Sequence, residues 1–416
     1  MLHRRSALAA GLAMLHATCG QARTAEGHQK NIVAQRHALA SRTLQVGVAT
    51  HYGMHGEALV TFEQVGSIGL NGIRDEAYWS HVEADSGQLA VPLHVANWYA
   101  AAMRAGISPL LLLSYGHPSY QDGARPVTAR AVNGFARYST FLAQRLSGVK
   151  QFQVWNEWEL PDRSGEPGRP QDYLNLFRQV APGLRAASPG ALVLPAGVQR
   201  AGCFNGYLEF LVRGGLLRLA DGLALHTYRF NEADPSPEAW YLEIIKLAAL
   251  IRLWDPDHGA DAALYVSEMG FPSHAGPQGL TLQAQADYLE RCILLGAALP
   301  TLRGFWWYGL RDKGNVPAES EHHYGLLAQD STLKPSGLRM QQLLARLRGA
   351  KSVTIAGQDA DRWAVQLDAF DGTNWLAQWS PALRGAPSAG ATKAGLGPRP
   401  VWSQLMRAVP ATSARR

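Results

Sequence analysis

Apolar runs of strand length alternate with stretches of helical length from residue 44 to residue 347, and this alternation constrains the fold more than any other feature. The third run contains four consecutive leucines, Leu110 to Leu113, as expected for a parallel strand buried on both faces. Strands are predicted at residues 44–52, 72–79, 108–115, 151–157, 191–198, 221–229, 263–268 and 303–312. Eight strands that alternate with helices predict an α/β chain closed into a (β/α)8 TIM barrel over residues 40–348, with an open doubly wound sheet as the alternative.

The chain changes character after this region. Residues 352–355, 362–370 and 374–380 are typical of short alternating strands, and Asp371-Gly372 is a typical hairpin turn between two of them. Residues 349–404 are therefore predicted to form a small β subdomain packed on the barrel. Residues 405–416 are predicted to be a loose tail.

The first 22 residues have the pattern of a signal peptide. Residues 1–5 are basic, residues 6–15 form an apolar run too short to span a bilayer, and residues 20–22 offer a small-x-small cleavage site. The arginine pair at positions 4 and 5 also resembles a twin-arginine signal, so the export route stays open. The poor lipoprotein context of Cys19 favours soluble export. The prediction is a periplasmic or secreted protein without a membrane span.

Composition excludes several function classes. Positive charge exceeds negative charge by 39 − 33 = 6 but is spread along the chain, so no nucleic-acid partner is predicted. Cysteine and histidine show no metal-ligand spacing, and neither a metal nor a cofactor is predicted. Twelve Trp and fourteen Tyr supply aromatic faces that suit sugar rings. Cys203 and Cys292 remain after signal cleavage, and the sequence fixes neither their pairing nor the oligomeric state.

Polar and aromatic side chains gather where the predicted strands end. The fourth strand ends in Asn156-Glu157 and the seventh in Glu268, so two strands end in a glutamate. Other strand ends carry His51-Tyr52, Arg74-Asp75-Glu76, Tyr115-Gly116-His117, His226-Thr227-Tyr228 and Trp306-Trp307-Tyr308. Because the carboxyl ends of the strands form one face of a (β/α)8 barrel, these groups are predicted to meet in one site.

Two glutamates at one end of a barrel suit cleavage of a glycosidic bond. A retaining hydrolase needs two carboxyl groups about 5–5.5 Å apart, one protonated to assist the leaving oxygen and one ionised to attack the anomeric carbon. Glu157 and Glu268 are the catalytic candidates, and Arg74 is placed to hold one of them ionised. Asn156 is placed to donate to a hydroxyl of an oligo- or polysaccharide substrate.

Longer motifs around these residues carry a family resemblance. Trp155-Asn156-Glu157, Ser267-Glu268-Met269-Gly270 and Phe305-Trp306-Trp307-Tyr308 resemble the retaining glycoside hydrolases of clan A, the Asn-Glu barrels. Gly72-Ile73-Arg74-Asp75-Glu76 and Gly325-Leu326-Leu327 are similar to the family 39 and cellulase-like branch, whose exported bacterial members act on exopolysaccharides. The resemblance covers roughly residues 44–347. It implies that Glu157 is the acid/base and Glu268 the nucleophile.

The resemblance also implies roles for other residues. His226 and Tyr228 match the position on the sixth strand that contacts the nucleophile or the substrate. His117 is a further predicted substrate-binding residue. Trp307 is the predicted sugar platform, because adjacent strand residues point to opposite sides and one of the two tryptophans should face the cleft. The sequence departs from many relatives at Trp158-Glu159, which makes Glu159 a rival acid.

Two other function classes stay open. A carbohydrate-binding barrel that has lost catalysis would keep the cleft but use neither glutamate for turnover. The other class is a hydrolase with a serine nucleophile, although Ser267 lacks the Gly-x-Ser-x-Gly elbow and no His or Asp is predicted to serve it. The sugar, its linkage, and endo against exo action are not determined by the sequence.

Overall fold

The computed structural model describes residues 44–55, 62–84, 87–359, 361–381 and 396–405. The predicted signal peptide at residues 1–22 lies outside the described residues, as do residues 406–416 of the tail predicted at residues 405–416, whereas Leu405 ends a strand. Among the helices of the described ranges, none has the length and apolar character needed to cross a membrane.

A curled parallel sheet forms the inner layer of the molecule. Its strands are β1 (Gln45–Ala49), β2 (Gly72–Tyr78), β3 (Ser108–Ser114), β4 (Gln151–Val154), β5 (Leu192–Leu194), β6 (Val198–Gln199), β7 (Leu223–His226), β8 (Leu264–Met269) and β9 (Leu302–Trp307). Their order in the sheet is β5-β4-β3-β2-β1-β9-β8-β7-β6. Because β5 pairs with β4 and β6 pairs with β7, these two short segments share the fifth strand position. The predicted (β/α)8 barrel is confirmed.

The fifth strand is broken, whereas the sequence predicts one strand at residues 191–198. Pro195 has no backbone N–H for the sheet, and the N–H of Ala196 donates to the Tyr173 hydroxyl instead, at 2.5 Å. A Cβ atom on Gly197 would lie 2.1 Å from Nε2 of His226. The break therefore leaves room for the His226 imidazole at the centre of the barrel mouth.

Helices cover the outer face of the barrel. They are α1 (Tyr52–His55), α2 (Phe62–Ile68), α3 (Trp79–Val82), α4 (Leu93–Arg104), α5 (Ala129–Arg145), α6 (Pro170–Ala187), α7 (Arg200–Phe204), α8 (Tyr207–Arg213), α9 (Pro237–Trp254), α10 (Leu282–Ala297) and α11 (Pro335–Arg348). The side chains of Thr128, Ser236 and Thr281 cap α5, α9 and α10. Cys203 and Cys292 are buried free thiols.

A small antiparallel sheet follows the barrel, as predicted. It contains β10 (Ala350–Gln358), β11 (Trp363–Ala369), β12 (Asn374–Trp379) and the additional strand β13 (Val401–Leu405), in that order. Two indole N–H groups attach it to the helices of the barrel. Trp379 donates to Glu238 Oε1 of α9 at 2.6 Å, and Trp402 donates to Glu290 Oε1 of α10 at 2.8 Å.

Candidate active site

A cleft of about 730 Å³ opens at the carboxyl ends of the barrel strands. Its walls contain six of the residues predicted from the sequence: Arg74, Asn156, Glu157, His226, Tyr228 and Glu268. These residues come from β2, from β8, from the end of β7 and from the segments that follow β4 and β7. The barrel thus brings together side chains that are up to 194 positions apart in the sequence.

Glu268 is a buried carboxylate surrounded by groups that stabilise its negative charge. Arg74 NH1 donates to Oε1 at 2.5 Å, and the Tyr228 hydroxyl donates to Oε2 at 3.0 Å. Burial alone would raise the pKa of Glu268, but the charges of His226 and Arg74 outweigh burial and lower this pKa to about 2. Glu268 is therefore ionised at neutral pH, as a nucleophile must be.

Arg74 connects polar side chains on β4, on the segment after β4 and on β8. Its guanidinium is buried and donates from Nε to Gln153 at 2.8 Å and from NH2 to the Asn156 side-chain oxygen at 2.7 Å, besides its bond to Glu268. Because Arg74 occupies the Asn156 oxygen, the NH2 group of Asn156 is left to donate to a ligand. One guanidinium thus orients both the carboxylate and the amide.

Glu157 contacts Nδ1 of His226, the ring nitrogen that also lies 3.7 Å from Glu268 Oε2. Glu157 Oε1 is 2.7 Å from His226 Nδ1, and the Glu157 side chain is 15% exposed toward the cleft. One carboxylate oxygen of Glu157 lies within 4.8 Å of one of Glu268. The backbone φ angles of Trp155 and Glu157 are +75° and +47°, in the left-handed region that non-glycine residues rarely adopt. This strained turn aims Glu157 into the cleft.

Both nitrogens of His226 have partners. Nε2 lies 3.1 Å from the Ser267 hydroxyl oxygen, and Nδ1 contacts Glu157. The expectation that no histidine is arranged to serve Ser267 is therefore wrong, since serine, histidine and carboxylate form a connected chain. Ser267 is nevertheless fully buried and does not line the cleft, so a substrate cannot reach its hydroxyl. The serine instead fixes the orientation of the imidazole.

The cluster of Glu157, His226 and Glu268 offers two carboxylates and one imidazole, ligand types that metals use, within 4.8 Å of one another. The surrounding charge opposes this use. Both oxygens of Glu268 already accept hydrogen bonds, and the positive charge of Arg74 would repel a divalent cation at this short distance. The hydrogen-bonding pattern fits a carboxylate that acts on an organic substrate.

Two predicted substrate-binding residues lie outside the cleft. His117 is buried behind it, where its ring nitrogens contact the backbone of Glu83 and Ser119, so its predicted role is wrong. Trp307 is fully buried in the layer between barrel and helices, and its indole donates to the Tyr324 carbonyl at 2.9 Å. Trp307 cannot be a sugar platform. Trp306 also contributes no platform, because it is fully buried too.

The sequence assigns no individual role to several cleft residues, although four of them belong to strand ends predicted to meet in one site. His51, Glu76, Tyr115 and Tyr308 lie at strand ends, where the polar composition is a usable signal. Lys313, Glu321, Tyr324 and Arg200 lie farther along the connecting segments, where no periodic pattern indicates their position. A cavity of about 620 Å³ adjoins the cleft and shares His51, Tyr308, Lys313, Glu321 and Tyr324 with it.

His51 and Glu76 form a pair near Glu268. His51 Nδ1 lies 3.1 Å from Glu76 Oε1, and burial alone would lower the pKa of His51, but the hydrogen bond and charge of Glu76 raise it. The charge of His51 also contributes to the low pKa of Glu268. His51 therefore adds positive potential where a nucleophile must stay ionised.

Glu159, the rival acid, points away from the cleft. Its Oε1 accepts from the backbone N–H of Gln199 at 2.6 Å, and burial raises the pKa of Glu159. The side chain therefore joins the segment after β4 to the residue that precedes α7. Glu157, and not Glu159, faces the cleft.

Comparison with solved structures shows the same fold in glycoside hydrolases. A family 39 glycoside hydrolase from the gut symbiont Bacteroides cellulosilyticus is similar over 83% of this chain and 72% of its own, with a TM-score of 0.69 and 21% identity. GH5_18 from Streptomyces cattleya in complex with GlcNAc is similar over 74% of this chain and 81% of its own, with a TM-score of 0.61 and 20% identity.

A third similar structure is the GH39 enzyme from Xanthomonas axonopodis pv. citri, which covers 84% of this chain and 74% of its own with a TM-score of 0.58 and 16% identity. No protein-family model matches the sequence. No curated protein sequence matches it either. The resemblance to family 39 and the cellulase-like branch is thus confirmed at the level of the fold.

Proposed function

We propose that this protein is a retaining glycoside hydrolase that cleaves O-glycosidic bonds of an oligo- or polysaccharide. The observation that carries the proposal is the pair of carboxyl groups, Glu157 and Glu268, whose oxygens approach within 4.8 Å while their surroundings differ. Glu268 is held ionised by Arg74 and His226, whereas the Glu157 carboxyl contacts the imidazole and faces the cleft.

The spacing of the carboxyl groups supports retention of configuration. Retaining enzymes have carboxyl groups about 5–5.5 Å apart, whereas inverting enzymes have them about 6.5–9.5 Å apart to hold a water molecule between them. The oxygens of Glu157 and Glu268 approach within 4.8 Å, which is nearer to the retaining spacing than to the inverting one. Direct attack by the carboxylate is the chemistry that this spacing favours.

In the first step, an oxygen of Glu268 attacks the anomeric carbon and the bond from that carbon to the leaving oxygen breaks. Protonated Glu157 gives its proton to the leaving oxygen, and His226, 2.7 Å away, orients the carboxyl group. The product is a glycosyl ester on Glu268. The Tyr228 hydroxyl and Arg74 stabilise the carboxylate again when it leaves.

In the second step, ionised Glu157 takes a proton from a water molecule, whose oxygen attacks the anomeric carbon. The ester bond breaks, the electron pair returns to Glu268, and Glu157 regains its proton. Two inversions give net retention. The Asn156 NH2 group, oriented by Arg74, is placed to donate to a sugar hydroxyl in both steps.

The fold comparisons support this reaction class, because the similar solved structures include glycoside hydrolases of families 39 and 5. A barrel that only binds carbohydrate is the alternative. Two carboxylates at this distance repel each other, which costs free energy. A protein that only binds carbohydrate has no use for such a pair, or for a carboxylate whose pKa is held at about 2.

The decisive experiment uses 2,4-dinitrophenyl and 4-nitrophenyl glycosides of the common pentoses and hexoses. Glu268→Ala should lose activity on all of them, and added azide should give a glycosyl azide of inverted configuration. In Glu157→Ala, kcat/KM should fall about 10²–10⁴-fold with nitrophenyl glycosides but little with dinitrophenyl glycosides, whose departure needs no acid. With both substrates kcat should be low, because the second step has lost its base. Here azide should give a product of retained configuration.

Glu159→Gln is the matched control, because it removes a neighbouring carboxylate that does not face the cleft. It should keep the wild-type profile. Proton NMR of the azide products reads the configuration. Hydrolysis that survives in both Glu157→Ala and Glu268→Ala would exclude the proposed mechanism, and a wild-type protein that binds oligosaccharides without cleaving any glycoside would establish the binding-only alternative.

A further inference from the structure

A side cavity of about 460 Å³ adjoins the catalytic cleft between α7 and α9. Arg200 and Ala201 line both spaces, so the two are neighbours on either side of these residues. The remaining walls come from Phe204 on α7, from the segment after β7 and from α9. We call this space the basic side cavity.

The basic side cavity has an excess of positive charge. Arg200 pairs with Glu232 at 2.8 Å and with Glu243 at 2.9 Å, and Arg229 also pairs with Glu243. Lys246 forms no ion pair with the residues that the structure describes, and its ammonium group is exposed. Three cations therefore meet two carboxylates, and Lys246 is the cation left for a ligand.

An aromatic ring accompanies the free cation. Phe204 is 37% exposed, and Lys246 Nζ lies 5.6 Å from the centre of its ring. A sugar ring can lie against an exposed aromatic face, and an ammonium group beside that face can pair with a carboxylate on the sugar. Together these groups suit a sugar acid better than a neutral sugar.

The cavity lies on the side of the proposed acid. The N–H of Gln199 donates to Glu159, two residues after Glu157, and Arg200 directly follows Gln199 at the start of α7. The acid of a retaining glycosidase stands next to the leaving oxygen. The segment that borders the cavity is thus attached to the acid's own loop, and the cavity receives the leaving-group part of the substrate.

We propose that the basic side cavity is a leaving-group-side subsite for a sugar residue that carries a carboxylate, so that the substrate is an acidic polysaccharide. This inference rests on the proposed function for the direction in which the substrate lies. Phe204 contacts the sugar ring, and Lys246 pairs with its carboxylate, while Arg200 separates the subsite from the bond that is cleaved.

Affinity electrophoresis of the full chain tests the subsite without requiring turnover. The gels contain alginate, polygalacturonate or gellan, or the same polymers after chemical reduction of their carboxyl groups, which keeps the linkages and removes the charge. At about 10 mM ionic strength, where charge interactions reach about 30 Å, the wild-type protein should be retarded more by at least one acidic polymer than by its reduced form.

Three variants separate the subsite from general attraction by a basic protein. Lys246→Glu should weaken retention by that polymer about tenfold, because it replaces an attraction with a repulsion and so changes the interaction by about twice the contribution of one exposed charge pair. Lys246→Arg keeps the positive charge and should keep the retention. Lys351→Glu makes the same charge change on exposed β10 and should leave retention at the wild-type level. Phe204→Ala should weaken retention by both forms of the polymer.

Hydrolysis of aryl glycosides by the wild-type protein tests the proposed function, whereas retention in these gels tests the subsite. Failure of one can therefore be distinguished from failure of the other. Equal retention by acidic and reduced polymers would overturn the subsite. So would equal losses in Lys246→Glu and Lys351→Glu, because they would show that only net charge matters. For a polymer that is cleaved, the Lys246→Glu effect should appear in KM and not in kcat.

Discussion

Nδ1 of His226 faces both carboxyl groups, at 2.7 Å from Glu157 Oε1 and 3.7 Å from Glu268 Oε2. One histidine therefore acts on both members of the proposed catalytic pair. Its charge is a leading cause of the low pKa of Glu268, and its hydrogen bond fixes the position of Glu157. The glycine at position 197 provides the space for this ring.

Replacement of His226 should therefore damage both steps. In His226→Ala, Glu157 loses its orienting partner and the pKa of Glu268 rises, so kcat/KM for 4-nitrophenyl glycosides should fall about 10²–10⁴-fold. Ser267→Ala is the control, because it removes only the bond to Nε2 and keeps the imidazole. We expect a loss below about tenfold, as for one hydrogen bond. Complete inactivation of Ser267→Ala, as severe as that of His226→Ala, would instead favour a serine nucleophile activated by the imidazole.

Arg74 should control the acid limb of the pH–rate profile. The nucleophile must be ionised, so activity falls as the pH drops through the pKa of Glu268, which is about 2 in the wild-type protein. Arg74→Met removes a positive charge that lowers this pKa, and the acid limb of kcat/KM should move to higher pH. The profile should be measured with dinitrophenyl glycosides, whose cleavage does not need the acid.

Arg74→Lys separates charge from geometry. A lysine keeps the positive charge but cannot make all three bonds to Gln153, Asn156 and Glu268, because it lacks the planar fork of arginine. The acid limb should stay closer to the wild-type position while kcat/KM still falls. An unchanged acid limb in Arg74→Met would contradict the assignment of Glu268 as the group that titrates.

Aromatic contacts to the sugar should come from Tyr115 and not from Trp307. Tyr115 lines the cleft and is 41% exposed, whereas Trp307 is fully buried. Tyr115→Ala should raise KM for oligosaccharides about tenfold with little change in the free energy of unfolding. Trp307→Ala should lower the free energy of unfolding by about 3–5 kcal/mol. Urea titrations and initial rates distinguish the two, and unchanged kinetics in Tyr115→Ala would remove it from the site.

The architecture and the catalytic candidates are predictable from sequence for a physical reason. Buried parallel strands must be apolar on both faces, so runs such as Leu110 to Leu113 identify the barrel, and polar groups at their ends identify its mouth. Glu268 and Asn156-Glu157 are found in this way. The break in the fifth strand follows from contacts with Tyr173 and His226, which are distant in sequence.

Side-chain direction beyond a strand end is not predictable in the same way. The β9 strand ends at Trp307, and only the next residue, Tyr308, reaches the cleft. Likewise β3 ends at Ser114, so Tyr115 lines the cleft while His117 turns behind it. Alternation applies to extended backbone, and these segments leave the extended conformation within one to three residues. The positions of Arg200 and Lys313 depend on the conformation of whole connecting segments, which a local sequence pattern does not predict.

The C-terminal sheet should stabilise the barrel through its buried indoles. Trp379 is fully buried and donates to Glu238, which is also paired with Arg291. Trp379→Phe removes the donor from a charged acceptor, and the free energy of unfolding should fall by about 1.5–3 kcal/mol. Trp375→Phe on the same strand is the matched control and should change it by less than about 1 kcal/mol. Equal effects in urea titrations would show that the Glu238 contact contributes nothing.

Glu159 should influence stability and its pH dependence but not catalysis. Burial raises the pKa of this carboxyl in the folded state above the unfolded value of about 4.3, because Oε2 is buried and has no partner among the described residues. The folded state therefore holds the proton more tightly. Its contribution to stability is complete below the unfolded pKa and is lost as the pH rises through the folded pKa.

Glu159→Gln keeps an oxygen that can accept from the Gln199 N–H and removes the titration. Relative to the wild-type protein, the variant should therefore gain stability as the pH rises above about 4.3, measured as the free energy of unfolding in urea at a series of pH values. Its kcat/KM on nitrophenyl glycosides should stay within about twofold of wild type. If Glu159→Gln instead lost activity in proportion to the leaving-group pKa and regained it with azide, Glu159 would be the acid and Glu157 would not.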